Sequence, residues 1–411
     1  MSGQILAVNS GSSSLKFALF DAASTASPMA IQVRYRGQFS GLGSRARAEL
    51  QAGVGTELNE EQDAALYDVP ATLDHAGALE RLLQWVEDNP ALGDIRAVGH
   101  RIVHGGARYR EPLRLDAESF AALEALNELA PLHQPHGLAP VRALTGLRPG
   151  LPQYACFDTA FHATQPAVAQ TFPLPRRFRE QGVIRYGFHG LSFDYVSRAL
   201  SAERQHRQAT PGGRVIIAHL GNGASLCALR DGQSVAATTG FTAVEGLMMG
   251  TRSGSLDPGL VLHLILQEGM SAEAVQRLLY KESGLLGVSG ISGDMRELLA
   301  SEAPEAAEAI TLFVYRIVRE IGSLAAALGG LDHLIFTAGI GERAAPIRSA
   351  VAQGCAWLGA RLDDTANAAN ALDIAAADSR LGLWVIPTDE ERMIAWYTAA
   401  ELARGDVNRT S

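Results

Sequence analysis

One structural unit occurs twice in this chain: an apolar run, a short loop of glycine, serine and asparagine, and a second apolar run. The first copy occupies residues 5–20 and the second occupies residues 215–229. The pattern predicts a β-hairpin in each place. A loop so rich in glycine leaves its backbone N–H groups free to face an anion, and hydroxyls such as that of Ser12 add further donors. The two copies therefore predict a duplicated fold that holds a phosphate chain between its halves.

The two loops differ from the common nucleotide-binding signatures. The chain has no Walker A sequence, and neither loop carries the glycine pattern of a Rossmann fingerprint. Lys16 follows the first loop closely, so its ammonium group could reach a phosphate as a point charge. A solvated strand lysine is the alternative interpretation of this residue.

Composition narrows the class of protein. A chain of 411 residues predicts about two to three domains, and 47% hydrophobic with 19% charged residues is typical of a globular protein. The net charge of −9, without a basic stripe, argues against nucleic-acid binding. Cys156, Cys227 and Cys355 are too widely spaced for a disulfide framework or a cysteine zinc site. Neither a secretory signal nor an apolar stretch of the ~20 residues that span a membrane is present, so we expect a cytoplasmic protein without a membrane partner.

Apolar periodicity predicts alternating strands and helices, which is the α/β class. We expect strands at 97–104, 155–157, 334–337 and 383–386. A cluster of glycine and proline at residues 145–152 predicts a domain boundary there. Helices are expected at 74–87, 117–129, 304–328, from 338 to about 358, and from 390 to about 403.

Two arginines lie beside glycines in apolar surroundings. Arg101 ends an apolar strand that runs into a glycine pair, and Arg252 has glycines on both sides. A buried arginine is rare without an anionic partner, so both are candidates to bind a substrate anion. Two arginines at one site would suit a substrate with two anionic parts. A structural salt bridge is the alternative.

Other candidates lie at the ends of predicted strands and helices. Asp158 and His189 follow strand-like segments, and the glycines flanking His189 favour a site over a structural histidine. Residues 338–342 form a strand-to-helix turn, where backbone N–H groups and the helix dipole can approach a nucleotide. Glu390 begins the last helix. The alternative interpretation is structural, because an acidic residue at a helix N-terminus interacts favourably with the helix dipole.

Together these segments resemble the acetokinase family, in the superfamily of acetate and sugar kinases, Hsp70 and actin. The resemblance covers nearly the whole chain. The matching segments, in the order of the family, are NSGSSSLKF, GHRIVHGG, APLHQP, FDTAFH, RYGFHG, HLGNGASL, GFTAVEGLMMGTRSG, SGLLGVSGISGDMREL, FTAGIGE and PTDEE.

The resemblance implies a fold, a domain organisation and a partner. The fold is α/β, with two domains that share a duplicated actin-like (ribonuclease H-like) βββαβα core around a nucleotide cleft. Residues 1–150, completed by the C-terminal helix 388–411, would bind acyl group and phosphate, and residues 151–387 would bind the nucleotide. The family also suggests a homodimer.

The resemblance further implies roles for individual residues. ATP is the implied co-substrate and Mg²⁺ the implied metal, with Mn²⁺ as a substitute. The implied metal-site residues are Asn9 and Glu390. The implied catalytic residues are Asp158, His189, Arg252, Arg101 and His133. Arg101 would bind the acyl carboxylate, and the implied pocket for the acyl methyl is Val103, Leu132 and Phe188. The implied nucleotide-binding residues are Ser12, Lys16, His219, Leu220, Gly221, Asn222, Gly223, Asp294, Met295, Arg296, Ala338, Gly339, Ile340, Gly341 and Glu342.

The implied reaction is phosphoryl transfer from ATP to acetate, which gives acetyl phosphate and ADP. The carboxylate nucleophile is already ionised at neutral pH, so no general base is required. Catalysis then reduces to positioning and neutralisation of charge, which two arginines, a histidine and Mg²⁺ can supply. On this argument Asp158 orients an arginine or a metal-bound water, although the family role is usually described as that of a proton acceptor.

The chain departs from the family pattern at several positions. Ala243 replaces a proline that helps to close the acyl pocket, and Ala338 replaces a glycine near the nucleotide, where a methyl group could crowd a close approach. The other departures are Gln134 with His136, Leu191 with Phe193, and Ala236 with Ala237.

Three alternatives stay open at the level of sequence. They are a propionate kinase, a kinase that uses another phosphoryl donor such as pyrophosphate, and a non-enzymatic nucleotide-dependent switch of the Hsp70 and actin type. The last would not need Arg101, His189 and Arg252 together.

Overall fold

The computed structural model describes residues 3–22, 27–54, 56–57, 66–130, 133–207 and 213–410, apart from the side chains of residues 91 and 406–410. The chain divides into two units. Unit 1 comprises Met1–Ala160 and Asp389–Ser411, and unit 2 comprises Phe161–Thr388.

Unit 1 is built on a mixed sheet. Its described strands are β1 (Gln4–Ser10), β2 (Ser14–Asp21), β3 (Val33–Ser40), β4 (Arg47–Ala52), β5 (Ile95–Ile102), β6 (Leu113–Arg114) and β7 (Gln153–Phe157). They are ordered β4-β3-β2-β1-β5-β7-β6. Strands β1 to β4 form antiparallel pairs, whereas β5 is parallel to β1 and β7 is parallel to β5.

Helices cover this sheet, and their starts follow the capping rules. Asp74 accepts a hydrogen bond from the Gly77 N–H, and Asp116 forms a reciprocal capping box with Ser119. The helices are α1 (His75–Glu87), α2 (Ala117–Glu124), α3 (Gln134–Leu147) and, from the C-terminal segment, α15 (Glu390–Thr410). Short 3₁₀ turns lie at Pro28–Ala30, Pro90–Leu92 and Ala125–Glu128.

Unit 2 is built on a second mixed sheet. Its described strands are β8 (Arg214–Leu220), β9 (Ala224–Arg230), β10 (Gln233–Ala237), β11 (His333–Thr337) and β12 (Gly382–Val385), in the order β10-β9-β8-β11-β12. β8, β9 and β10 form antiparallel pairs, and β11 is parallel to both β8 and β12.

The longest described helix of unit 2 spans 25 residues and has clear end signals. Pro304 occupies its first turn, and Gly329 ends it with a φ of 72°. The described helices of this unit are α4 (Ala167–Gln170), α5 (Arg176–Glu180), α6 (Gly190–His206), α7 (Pro258–Leu266), α8 (Ala272–Lys281), α9 (Gly284–Ser289), α10 (Met295–Ala300), α11 (Pro304–Leu328), α12 (Ala338–Arg343), α13 (Ala345–Gly354) and α14 (Asp364–Ala368). Further 3₁₀ turns lie at Ala160–Thr164 and Ala356–Leu358.

The predicted α/β class and the duplicated core are confirmed. Both predicted hairpins form, as β1–β2 and β8–β9. In unit 1 the strands β3-β2-β1-β5-β7 repeat the order of β10-β9-β8-β11-β12 in unit 2, and unit 1 adds β4 and β6 at its edges. The same order arises because each sheet starts from an antiparallel meander and then adds two parallel strands through helical crossovers.

The predicted helices differ from the observed ones mainly at their ends. The segment predicted at 117–129 is α-helical to Glu124 and continues as a 3₁₀ turn. The helix predicted from residue 338 divides after Arg343, because Pro346 lacks an N–H and occupies the first turn of a new helix. In the described part of the chain, none of the helices combines the length and the apolar character that a membrane span requires.

Candidate active site

The carboxyl ends of three parallel strands bring together predicted residues of unit 1. Asn9 lies in β1, Arg101 lies in β5, and Asp158 directly follows β7. Because β1, β5 and β7 are parallel neighbours, these side chains meet at one edge of the sheet. This edge is where ligands bind in open α/β sheets.

Helix α15 brings Glu390 to the same edge. Gly99 of β5 lies under this helix, and a Cβ at Gly99 would lie 2.1 Å from Oγ1 of Thr398. Glycine at this position therefore lets α15 lie directly on the sheet. Glu390 is its first residue, and the side-chain amide of Asn9 donates to Oε2 of Glu390 at 2.9 Å.

Three side chains hold the guanidinium of Arg101. Its Nε lies 3.1 Å from Oδ1 and 3.0 Å from Oδ2 of Asp158, and its Nη2 lies 2.5 Å from Oδ2. Its Nη1 donates to Oδ1 of Asn9 at 3.3 Å, and its Nε lies 3.9 Å from Oε2 of Glu390. The side chain of Asp158 is only 1% exposed. Both carboxylate oxygens of Asp158 are therefore committed to orienting Arg101.

The Arg101–Asp158 pair is shaped by burial and by charge. Burial raises the pKa of Asp158, and the positive charge of Arg101 opposes that shift. Burial alone lowers the pKa of Arg101, but the carboxylates of Asp158 and Glu390 outweigh it and raise this pKa above its usual value. Arg101 therefore stays cationic and can bind an anion.

A third carboxylate, which was not singled out from the sequence, lies beside this group. Oε1 of Glu391 accepts from the Asn9 amide at 3.0 Å. Burial raises the pKa of Glu391, and the negative charge of the neighbouring Glu390 raises it further. The described residues contain no group of three or more His, Cys, Asp or Glu side chains that could hold a metal. The oxygens of Asn9, Glu390 and Glu391 do suit Mg²⁺, which takes few protein ligands and keeps water or phosphate oxygens around it.

The other predicted residues of unit 1 have varied surroundings. Lys16 pairs with Asn9 across the β1–β2 hairpin and is exposed, as is Ser12 in the loop. Val103 is buried. His133 precedes α3, and Leu132 lies outside the described residues.

Gln134 has a role that its departure from the family pattern did not reveal. Its Oε1 accepts from the His104 N–H at 3.0 Å, and its Nε2 donates to the His104 carbonyl at 2.9 Å. This fully buried amide therefore fixes the backbone of the residue that follows Val103. The neutral amide suits a buried position because each of its polar ends has a backbone partner.

In unit 2, His189 occupies an unusual backbone conformation at the start of α6. Its φ is 58°, in the left-handed region that non-glycine residues rarely adopt. Its Nδ1 lies 2.8 Å from Oγ of Ser225, and its ring stacks on that of His219 at 4.2 Å. Nδ1 of His219 lies 2.8 Å from Oγ of Ser192. Two hydroxyls thus orient two stacked imidazoles.

Gly223, in the second hairpin loop, lies close to both His189 and Arg252. A Cβ at Gly223 would lie 3.2 Å from Nε2 of His189 and 3.8 Å from Nη2 of Arg252. Nη1 of Arg252 donates to the carbonyl of Ala243 at 2.8 Å. The glycine therefore leaves room beside two groups that can contact an anion.

A cavity of about 450 Å³ adjoins this loop, and three of the predicted nucleotide segments line it. The predicted residues that line it are Gly221, Asn222, Asp294, Met295, Arg296, Gly339 and Ile340. His219, Leu220, Gly223, Ala338, Gly341 and Glu342 belong to the same segments without lining the cavity. Further lining residues, which were not predicted from the sequence, are Gly293, Leu299, Arg343, Ala344 and Pro346.

Buried polar groups support the turn at residues 338–342. Oε1 of Glu342 accepts from the N–H groups of Ala338 at 2.9 Å and Thr388 at 3.1 Å. Arg348 is fully buried, and its Nη1 donates to the Gly341 carbonyl at 2.9 Å. Its Nε and Nη2 bind the Oδ1 and carbonyl of Asn367, each at 2.7 Å. The sequence signals this support of the turn only through the position of Arg348, a charged residue within the largely apolar helix α13.

The two sheets of equal strand order, each with a glycine-rich turn after its first strand, define a member of the superfamily of acetate and sugar kinases, Hsp70 and actin. The chain belongs to the acetokinase family, whose model matches residues 4–396. It is 51% identical over 397 residues to the acetate kinase of Rhodopseudomonas palustris. The matched region covers 96% of this chain and 97% of the relative. The protein is therefore an enzyme of the kinase class, and a non-enzymatic switch is not supported.

Solved structures agree with this assignment. A propionate kinase from Francisella tularensis is similar with a TM-score of 0.85 and 34% identity, over 97% of this chain and 99% of the other. The acetate kinase of Porphyromonas gingivalis is similar with a TM-score of 0.82 and 36% identity, over 97% of this chain and 100% of the other.

Proposed function

We propose that the protein catalyses reversible phosphoryl transfer from ATP to acetate, giving acetyl phosphate and ADP by direct in-line transfer. The acetate kinase activity rests on membership of the acetokinase family and on the relative that is 51% identical over almost the whole chain. The direct route and the residue roles are inferred from the chemistry of the two units.

One observation carries the mechanism: Gly223 adjoins both His189 and Arg252, while its neighbours Gly221 and Asn222 line the 450 Å³ cavity. A nucleotide in that cavity would have its phosphates at the loop, next to an imidazole and a guanidinium. These groups can stabilise the charge that spreads over the transferring phosphoryl oxygens.

In unit 1 we assign the acetate carboxylate to Arg101, whose cationic state is secured by Asp158 and Glu390. Acetate is ionised at neutral pH, so it attacks phosphorus without losing a proton. Asp158 then acts as the residue that orients Arg101, since both of its oxygens accept from that guanidinium. The small pocket for the methyl group stays assigned to Val103, Leu132 and Phe188, and His133 stays a proposed active-site residue.

Asn9 and Glu390, with Glu391 beside them, would hold Mg²⁺, and Mn²⁺ would replace it. When bound, the ion would neutralise phosphate charge. Lys16 and Ser12 would add donors to the phosphate chain from the first hairpin.

The activity is tested with a panel of acetate, propionate and butyrate with Mg-ATP, read out as acyl hydroxamate. We expect the highest kcat/KM for acetate, and preference for butyrate or a longer acid would contradict the assignment. Direct transfer is tested with ATP that is chiral at the γ-phosphorus. Inversion is expected for one in-line step, and retention would rule that route out.

A propionate kinase is the second candidate, and two observations favour it. The Francisella tularensis neighbour is a propionate kinase, and Ala243 stands where the family has a proline in the acyl pocket. In the same panel, a kcat/KM for propionate above that for acetate would select this candidate. Substitution of GTP or pyrophosphate for ATP tests the third possibility, a different donor.

We also propose a homodimer, formed through helix α7. The sequence of this helix, PGLVLHLIL, is almost wholly apolar, yet each of its residues is exposed or half-buried. Leu266, for example, is 69% exposed. An apolar patch of this kind marks a protein interface. Sedimentation of the wild type and of Leu262→Glu should give a dimer and a monomer, respectively.

Two further assignments complete the proposal. Unit 1 would bind the acyl group and unit 2 the nucleotide, as the family resemblance implies. All three cysteines are buried and unpaired, which suits a reducing compartment such as the cytoplasm.

A further inference from the structure

His162 is a buried histidine that the mechanism above does not use, and it contacts the backbone next to His189. Its side chain lies inside unit 2, and its Nε2 lies 3.1 Å from the carbonyl oxygen of Phe188. On the other side of the ring, Nδ1 lies 2.9 Å from Oγ of Ser234. The rings of Phe161 and Phe193 stand nearly perpendicular to it, with centroids 5.6 and 5.7 Å from that of His162.

The hydrogen-bond partners determine where the proton of this ring lies. A carbonyl oxygen can only accept, so Nε2 carries the hydrogen and Nδ1 accepts from the hydroxyl of Ser234. That hydroxyl in turn accepts from Nε2 of Gln165 at 3.0 Å. Burial lowers the pKa of His162 to about 4, which agrees with a neutral ring that has one N–H. Gln165, Ser234 and His162 thus form a directed chain that ends on the Phe188 carbonyl.

This carbonyl belongs to the peptide bond between Phe188 and His189. The left-handed conformation of His189 is unfavourable for a residue with a side chain, so the surrounding contacts must maintain it. Gly187 permits a very close approach: a Cβ there would lie 2.0 Å from Cγ of His162. The ring therefore packs directly against the segment that carries His189 and also binds its peptide.

We propose that His162 is a positioning residue, which holds the Phe188–His189 peptide so that the His189 imidazole keeps its bond to Ser225 and its stack on His219. The inference rests on the proposed role of His189 in phosphoryl transfer. In this role His162 acts through the Phe188–His189 peptide and not by contact with the substrates.

Two substitutions of similar polarity separate this role from packing. In His162→Gln, the amide nitrogen can occupy the place of Nε2 and still donate to the Phe188 carbonyl. In His162→Asn, the shorter amide matches Nδ1 and no longer reaches the Phe188 carbonyl. We expect His162→Asn to lower kcat about tenfold or more with KM values within about threefold, and His162→Gln to restore kcat to within about threefold of wild type.

A double-variant cycle tests whether the effect passes through His189. In a His189→Ala background, measured at high enzyme concentration, His162→Asn should have almost no further effect on kcat. His333→Asn is the control, because His333 is a half-buried histidine of unit 2 that begins β11, at the end of that strand remote from the site. It should leave kcat unchanged.

Each outcome bears on one assignment. Normal kcat in His162→Asn, or an equal loss of activity in the His189→Ala background, would overturn the positioning role. Full activity of His189→Ala would overturn the role of His189 and the positioning role with it, whereas an inactive His189→Ala beside a normal His162→Asn overturns only the latter. If His162→Asn does not fold, Ser234→Ala removes the donor to Nδ1 and should lower kcat with the same dependence on His189, and an unchanged kcat would count against the proposal.

Discussion

The guanidinium of Arg101 and the carboxylate of Asp158 face each other with three N···O distances between 2.5 and 3.1 Å, although the two residues are 57 positions apart in the chain. The side chain of Asp158 is almost fully buried, whereas that of Arg101 is partly exposed. This geometry supports the proposal that Asp158 orients Arg101 rather than accepting a proton.

Replacing Asp158 with Asn should impair alignment rather than proton transfer. We expect kcat/KM for acetate to fall about 100-fold, because a misplaced group costs about that much. Loss of one member of a buried pair should also lower the free energy of unfolding by about 3 kcal/mol. The measurements are steady-state kinetics between pH 6 and 9 and urea denaturation. A loss that disappears at high pH would instead indicate that Asp158 is a base.

Arg252→Ala should abolish turnover in a folded protein. The guanidinium lies beside Gly223, and its loss would leave developing phosphoryl charge without a partner. We expect kcat to fall at least about 1,000-fold. Arg230→Ala is the control, since Arg230 is an exposed strand residue that binds the Leu328 carbonyl, and it should keep normal kcat. Near-normal kcat in Arg252→Ala would refute the assigned role.

Glu390→Gln should weaken the response to metal. Its carboxylate and the Asn9 amide are in contact, and loss of one charged oxygen ligand should raise the Mg²⁺ concentration for half-maximal activity about tenfold. Titration of activity with Mg²⁺ after treatment with EDTA measures this shift. Glu401→Gln, on the same helix, should leave the titration unchanged. An identical metal response in both variants would remove Glu390 from the metal site.

Stability should fall as the pH decreases from about 6.5 towards 4. Burial lowers the pKa of His100 to about 4, and it does the same for His104 and His162. The unfolded state then binds protons that the folded state does not, so each fully buried ring costs roughly 3 kcal/mol by pH 4. Urea denaturation at several pH values gives the free energy of unfolding as a function of pH. This dependence should be shallower for His100→Asn than for wild type. The exposed His206→Asn should keep the wild-type slope, and equal slopes in all three proteins would contradict the argument.

Ala338→Gly should be neutral or stabilising, unlike most alanine-to-glycine changes. Ala338 has a φ of 63°, a conformation that costs an alanine about 1 kcal/mol and a glycine almost nothing. The gain offsets the extra entropy of glycine in the unfolded chain. Ala307→Gly, at an exposed position of α11, should lose about 1 kcal/mol. Equal losses of unfolding free energy would show that residue 338 carries no such strain.

Much of the architecture was predictable because its signals are local. Apolar periodicity, Asp74 and Asp116 as caps, and the Pro304 and Gly329 end signals determine helices without reference to distant residues. The hairpins were predictable for the same reason. The order of motifs such as HLGNGASL and FTAGIGE was enough to identify the family.

The site was predictable only in part. Gly221, Asp294 and Gly339 were expected near the nucleotide, and they line one cavity. Gln134, Arg348 and His162 were not recognised as supports, because their roles depend on which backbone group each side chain meets. These contacts join residues 7 to 30 positions apart in the chain, and no periodic pattern marks them.

The sequence alone determined the class of fold and the family, and it predicted the residues that we propose to bind phosphate. Only the tertiary structure decided that Asp158 is committed to Arg101 and that His189 is held in a left-handed conformation between Ser225 and His219. The physical reason is burial: a polar group removed from water must find its partner within the fold, and packing rather than sequence spacing selects that partner.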